Sequence, residues 1–375
     1  MYLIILSLRW TMKEKTLPKY LQLKQEILSW IISGQMKPDE KIPTEHEIAN
    51  QFQLSRHTVR QALGELEKEG WLYKIQGSGT FVSRPKPKEQ VDTKTIGIVT
   101  TYISDYIFPH IVRGAEETLR EKGYRLLLAS TNNDKQREKE QLEEMIREPL
   151  SGLIIEPTKS AQGNPNLGYY LSLNNLHIPY VMINARYLEV SCPCVKMDDE
   201  QGGFLLTDHL IRLGHRRIAG FFKTDDLQGV DRLRGFIRAH QQHEVPVATE
   251  YLLSYATEEK WTKPLEVARE FLQRPKEERP TAFVCYNDEL AILLLEVIRQ
   301  QGLSVPDDLS IVGFDDSTFA TATEVKLTTI RHPKTEMGVQ AAEMLIQMIE
   351  QRSVDKIGDI IYRPELIVRN STKEI

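Results

Sequence analysis

The sequence predicts an α/β chain: a small helical head, a short linker and a larger two-lobed body built on parallel sheets. Three observations carry this. Helix signals over residues 17–70 are followed by two short apolar runs around a Gly-rich turn. Residues 84–94 are charged and broken by prolines. From residue 95 onward, apolar runs of strand length alternate with helical stretches.

Length and composition set the frame. At roughly 100–200 residues per domain, 375 residues make two or three domains. Hydrophobic residues are 41% and charged residues 27%, ordinary for a globular chain, which excludes disorder as the dominant state. Three cysteines exclude a disulfide scaffold and fit a reducing cytoplasm. The net charge of −5 speaks against nucleic acid binding when read over the whole chain. The charge is uneven, however. Residues 1–84 hold twelve Lys/Arg and nine Asp/Glu, so +3, which leaves −8 on the rest. A basic head on an acidic body fits nucleic acid binding by the head alone.

Residues 1–16 do not conform to either part. Met1 to Trp10 is apolar but too short to span a bilayer, and it lacks the features of a signal peptide. It reads as a loose N-terminal extension, with a membrane tether as the alternative.

In the head, residues 17–83, Tyr20, Leu23, Ile27, Trp30 and Ile31 fall on one helical face, and Gly34 ends the helix. Thr44 with Glu47 three residues later is a capping box for a second, short helix ending near Phe52. Ser55 caps a third helix, 56–69, whose buried stripe is Val59, Ala62, Leu63 and Leu66. Its other face carries Arg56, His57, Thr58, Arg60 and Gln61, residue types that bind phosphates and base edges. A short helix, a tight turn and a helix with polar groups at its start is helix-turn-helix geometry, with the second helix entering the major groove. Two strand-like runs, 71–75 and 80–82, flank Gln76-Gly77-Ser78-Gly79 and form a hairpin wing. The two glycines lack the third glycine and the strand-turn-helix context of a dinucleotide site.

The stretch 44–82, TEHEIANQFQLSRHTVRQALGELEKEGWLYKIQGSGTFV, resembles the winged-helix domain of GntR-type transcription regulators. The resemblance implies Arg56, Thr58 and Arg60 on phosphates and bases, His46 nearby, and Gln76 and Gly77 at the minor groove. His46 stands where relatives often carry arginine.

In the body, 96–101, 125–130, 152–155, 180–183, 218–222, 282–286 and 310–314 read as strands, with helices such as 135–147, 204–213 and 290–300 between them. The length suits two lobes. Ligands of open parallel sheets bind beyond the carboxyl ends of the strands. At those ends stand Tyr102, Asp105, Tyr106 and Phe108, then Glu156, then Asn184 and Arg186, then Lys223, Asp225 and Asp226, then Asn287 and Asp288, then Asp315 and Asp316. Carboxylates and amides pair with hydroxyls, and aromatic faces stack on C–H surfaces, so the recurrence predicts a pocket for a polyhydroxylated small molecule. Singly, each loop Asp or Asn is as well explained as a helix cap.

This body, residues 95–375, resembles the periplasmic-binding-protein-like effector domain of LacI/GalR regulators through VRGAEETLREKGY, HLIRLGHRRIAG, TAFVCYNDELA and LSIVGFDDS. The resemblance implies sugar contacts by Asp105, Phe108, Asn184, Asn287 and Asp315, with Arg232 as a guanidinium fork and Glu156 at a variable position. The full expected set is Tyr102, Asp105, Tyr106, Phe108, Glu156, Asn184, Lys223, Arg232, Asn287 and Asp315. The two parts together, with TYISDYIFPHIVRG and NPNLGYY, are similar to arabinose-responsive repressors of Gram-positive bacteria. That implies a homodimeric, cytoplasmic repressor that binds operator DNA through residues 17–83 and L-arabinose through residues 95–375.

No catalytic motif assembles: Gly-x-Ser-x-Gly, P-loop and His-Glu-x-x-His are absent from the sequence. Neither a cofactor nor a metal is expected. Cys192-Pro193-Cys194 lacks a partnering Cys/His cluster. Asp198-Asp199-Glu200 reads as a helix N-terminal charge cluster. His209, His215, His240 and His243 read as structural or solvated. The rival readings are a membrane-tethered sugar-binding protein, a regulator of another sugar, and a GntR-headed aminotransferase, for which the body is too short.

Overall fold

The computed structural model describes residues 18–83, 93–103, 106–351 and 357–375. The expected extension 1–16, most of the linker and Asp105 lie outside the described residues.

The head holds α1 (Lys19–Ile32), α2 (Glu45–Phe52), α3 (Arg56–Lys68), β1 (Leu72–Ile75) and β2 (Gly79–Val82). Both predicted caps form. Thr44 Oγ1 accepts from Glu47 N at 3.3 Å while Thr44 N donates to Glu47 Oε2 at 2.7 Å. Ser55 Oγ accepts from Thr58 N at 3.1 Å. Between the two helices Gln53 takes a left-handed conformation (φ 50°), which makes the turn tight. Leu23, Ile27, Ile48, Val59, Leu63 and Leu66 close the core, and the Trp30 and Phe52 rings lie 5.7 Å apart. β1 and β2 pair antiparallel. Residues 39–42 add a third pairing to the wing, since Asp39 N and Ile42 N donate to Val82 O and Thr80 O.

The body begins with β3 (Thr95–Thr100), α4 (Phe108–Glu121), β4 (Arg125–Ser130), α5 (Lys135–Arg147), β5 (Gly152–Ile155), α6 (Leu167–Asn175), β6 (Tyr180–Ile183) and β7 (Cys194–Met197). It continues with α7 (Asp199–Arg212), β8 (Ile218–Lys223), α8 (Leu227–Gln242), β9 (Leu252–Tyr255), α9 (Lys263–Gln273), β10 (Ala282–Cys285), α10 (Asp288–Gln300) and β11 (Ser310–Val312). It ends with α11 (Phe319–Ala322), β12 (Thr329–Arg331), α12 (Lys334–Gln351), β13 (Ile360–Tyr362) and β14 (Glu365–Ile367).

Two all-parallel sheets define two lobes. The first runs β13-β7-β6-β5-β3-β4 and the second β11-β10-β8-β9. Strands β5, β6, β8 and β10 are buried along their whole length, which is why they read as continuous apolar runs. In the first lobe α4 and α12 approach closely at two glycines. A Cβ on Gly114 would lie 2.2 Å from Thr335 O, and one on Gly338 would lie 2.0 Å from Ile111 O. The chain crosses between the lobes after β7, after β11 and after β13.

Several short strands escaped the sequence reading: β7, β9, β12, β13 and β14. Lys196 interrupts β7, and the other four are short and partly exposed, so neither continuous apolarity nor clean alternation marks them. The predicted strand 310–314 ends at Val312, because Gly313 and Asp315 turn to accompany Thr328 and Ile330. The predicted helix 204–213 starts earlier, at Asp199, where Asp198 caps it.

Candidate ligand cleft and nucleic-acid interface

On the head, His46, Arg56, His57, Arg60, Gln61, Gln76 and Gly77 are all exposed, as an interface requires. Thr58 is half-buried and its hydroxyl lies 2.8 Å from Ser55 Oγ, so it belongs to the cap as well as to the surface. Arg60 and Gln61 follow Arg56 and His57 by one turn, placing the four on one face at the start of α3. Two contacts order this face. Arg56 Nη2 lies 3.0 Å from His46 Nδ1. Arg60 donates to Glu45 from Nη2 at 2.9 Å and from Nε at 3.3 Å. The hydrogen bonds from Arg60 hold the Glu45 carboxyl below its usual range. Gly77 takes φ 79° at the wing tip, which favours glycine, and with no Cβ its backbone is open to close approach.

In the body, strand ends from both lobes surround one cavity of about 160 Å³. Of the ten expected residues, nine lie among those described and all nine line it: Tyr102, Tyr106, Phe108, Glu156, Asn184, Lys223, Arg232, Asn287 and Asp315. Arg232 is the organising cation. Its Nε donates to Asp199 Oδ1 at 2.8 Å, Nη1 donates to Tyr286 O at 2.7 Å, and Nη2 lies 3.5 Å from Asp315 Oδ1. Its guanidinium carbon lies 3.6 Å from the centroid of the Phe314 ring. Burial opposes its charge, but Asp199 and Asp315 outweigh burial and raise its pKa. For Asp199 the balance goes the other way. Burial pushes its carboxyl up to about 7 despite Arg232.

Lys223 donates to Asp226 Oδ2 at 2.8 Å and lies 3.4 Å from Asp225 Oδ1. Asp226 also caps α8 through Gly229 N at 2.7 Å and accepts from the Tyr286 hydroxyl at 2.8 Å. Glu156 is fully engaged. Thr101 N and Oγ1 donate to one oxygen at 2.8 and 2.5 Å, and Asn184 Nδ2 to the other at 2.8 Å. Burial raises its pKa. Asn287 caps α10 with its carbonyl, which accepts from Leu290 N at 3.0 Å. Asn287 thus caps a helix and lines the cavity at once. Tyr106, in a left-handed conformation (φ 62°), donates to Phe314 O at 2.9 Å and accepts from Asp288 N at 3.1 Å, so its hydroxyl joins one lobe to the other.

Sequence reasoning missed Asn133, Asp199, Gln228, Lys260, Trp261 and His332, which also line the cavity. Asp199 was read only as part of a helix-start cluster. His332 follows a strand too short to announce itself. Three lining residues carry a buried polar atom without a hydrogen-bond partner: Asp315 Oδ1, Gln228 Oε1 and His332 Nδ1. Burial pushes the His332 pKa down to about 4, so the ring is neutral.

Among the described residues no group of three or more His, Cys, Asp or Glu is placed to hold a metal, and no helix is long and apolar enough to cross a membrane. Cys192, Cys194 and Cys285 are buried, and burial raises the thiol pKa of the first two to about 12. His215 lies just past the turn that ends α7, hydrogen-bonded to Thr281, Ser310 and Lys373 O.

Comparison with known proteins places both parts. Residues 19–82 match the gntR family of bacterial regulatory proteins, and residues 207–372 match the periplasmic binding protein-like domain. The chain is 99% identical over 364 residues to an arabinose metabolism transcriptional repressor of Geobacillus stearothermophilus, covering 97% of this chain and 100% of that one. The chain belongs to the arabinose metabolism transcriptional repressors. A second member of that family, from Halalkalibacterium halodurans, is 48% identical, covering 95% of this chain and 97% of the relative. A solved LacI family transcriptional regulator from Enterococcus faecium, with bound ribose, superposes with a TM-score of 0.65 at 26% identity, covering 75% of this chain and 99% of that one. These arabinose metabolism repressors are DNA-binding transcriptional regulators rather than enzymes, with a GntR head and a LacI/GalR-type effector domain.

Proposed function

We propose that the cleft binds L-arabinose and that binding releases the head from operator DNA. The observation that carries this reading is the floor of the cavity. A guanidinium is held between Asp199 and Asp315 over an aromatic face, beside two buried polar atoms, Gln228 Oε1 and His332 Nδ1, that lack partners. A small polyhydroxylated ligand satisfies such atoms with its hydroxyls, and leaving them unpaired costs roughly 1–3 kcal/mol each. The arabinose in the names of the relatives supports the choice of sugar.

In this reading residues 17–83 are the DNA-binding domain, 84–94 the linker and 95–375 the effector and dimerisation domain of a cytoplasmic repressor. Two protomers place two heads on a two-fold-symmetric operator. His46, Arg56, His57, Thr58, Arg60 and Gln61 meet the major groove and its phosphates, and Gln76 and Gly77 the minor groove. Sugar draws the lobes together and moves the protomers, so that both heads no longer fit adjacent half-sites. By linkage, DNA then weakens sugar binding by the same factor.

The test is fluorescence anisotropy of a labelled palindromic fragment from upstream of a pentose-catabolic operon, at fixed salt, with and without L-arabinose. Weakening by about tenfold, or about 1.4 kcal/mol, is expected. Tight binding indifferent to arabinose would discard the effector assignment and keep the head. Tightening would make the sugar a corepressor.

A further inference from the structure

The two lobes touch at a place remote from every crossover of the chain. In the first sheet, β13 and β7, which lead into crossovers, occupy one edge and β4 the opposite edge. In the second sheet, β11, which leads into another, occupies one edge and β9 the opposite edge. The loops that follow the two far edges meet across the cleft. Asn133, after β4, donates from Nδ2 to Thr257 Oγ1 at 2.7 Å, just after β9. Lys159, after β5, forms a salt bridge with Glu258. Asn133 Oδ1 in turn accepts from Lys159 N at 2.9 Å, which ties the two contacts into one unit. Beside them Ser160 Oγ accepts from Leu227 N at 2.9 Å. On the second lobe Thr257 N donates to Asp225 Oδ2 at 3.0 Å, so the receiving loop is itself anchored.

We propose that Lys159 and Glu258, with Asn133 and Thr257, form a rim latch that sets how readily the lobes shut and therefore how much sugar the protein needs in order to respond. This rests on the reading of the cleft as the sugar site. The Asn133–Thr257 contact joins the two far edges, and Lys159–Glu258, tied to it through Asn133 Oδ1, bridges the cleft beside it, so opening about the crossovers parts both. The side chains of Lys159 and Glu258 do not line the cavity, so the pair acts on the sugar through closure, as positioning residues. Apparent affinity is the intrinsic affinity scaled by the population of the competent state. A rim pair that favours the shut state thus raises affinity without touching the ligand. The hydrogen bond from Lys159 holds the Glu258 carboxyl below its usual range, and the Lys159 side chain is mostly buried, so the contact is shielded on one side.

The experiment is calorimetric titration of the full chain with L-arabinose, using Lys159→Glu, Glu258→Lys, the double swap and Thr257→Val. The same variants carry Gln136→Cys and Glu266→Cys, one on each lobe, for donor and acceptor dyes; the native cysteines are buried. Each single reversal is expected to weaken apparent arabinose affinity by about three- to tenfold, mainly through faster release, and the swap to recover most of it. Thr257→Val weakens it less. Operator binding without sugar holds or tightens in each reversal, since in this reading the shut state is the one that leaves DNA. Without sugar, energy transfer between the lobes falls in each reversal and returns in the swap. Unchanged affinity and energy transfer in both reversals overturn the latch. So does a loss that the swap does not repair, since the cause is then structural damage. If the parent itself binds no arabinose, the sugar reading fails, and energy transfer alone decides the latch.

Discussion

The Nε of Arg232 donates to Asp199 Oδ1 at 2.8 Å, joining the middle of α8 to the first residue of α7 beneath the cavity. Both side chains are buried. Cutting such a pair leaves a charge without compensation, which costs on the order of 3–5 kcal/mol. Arg232→Ala is therefore expected to abolish the arabinose response and lower stability by about that amount, while operator binding persists at temperatures where the variant is folded. Anisotropy with and without sugar, beside a denaturant titration, separates the two effects. An intact sugar response in Arg232→Ala would remove Arg232 from the pocket.

On the head, Arg60 is exposed and aligned by Glu45. Arg60→Ala is expected to weaken binding to all operators alike and to reduce the slope of log K against log salt by about one. Binding measured between 50 and 200 mM salt reads this directly. A slope equal to that of the parent would end the phosphate assignment.

His215 gives an acid limb to the stability curve. Burial pushes its pKa from 6.5 down to about 4. A lowered folded-state pKa means the unfolded chain takes up the proton first. Stability is complete above pH about 6.5 and is lost as pH falls from there towards about 4. His215→Gln, which keeps hydrogen-bonding capacity without the titration, is expected to flatten that limb in urea unfolding curves at pH 4.5 and 7. An equal pH dependence in both proteins would place the acid sensitivity elsewhere.

The glycines between α4 and α12 tolerate no side chain. Gly338→Val must push Ile111 O and the α4 backbone aside. A loss of about 1–3 kcal/mol or more is expected, with a lower melting temperature and operator binding retained until the body unfolds. A melting temperature within a degree of the parent would show that the helices part without cost.

How far the sequence led depended on what each residue's role needed. β5 and β6 were legible to the residue because strands buried on both faces are continuously apolar. The caps at Thr44 and Ser55 were legible because a capping box is local. β7 was not, because Lys196 breaks its apolarity and its place in the sheet is set by β6 and β13. In the site, Asp315 and Asn287 stood out by following apolar runs. Asp199 did not, since its significance is the approach of Arg232 from 33 positions away. Nor could any local pattern show that the Tyr106 hydroxyl serves Phe314 O and Asp288 N, over 180 positions distant, rather than the ligand alone.

The strand order of the six-stranded sheet also dictates an order of birth. β13 (Ile360–Tyr362) pairs with β7 at one edge, and α12 supports β5 and β6 from below, so the first lobe stays incomplete until Tyr362 has left the ribosome. The helices and wing of the head are all encoded before residue 83. Domains generally fold as they emerge, N-terminal first. A prematurely terminated message would thus release a reader of DNA that lacks its receiver, whereas no single truncation from the carboxyl end yields a working receiver.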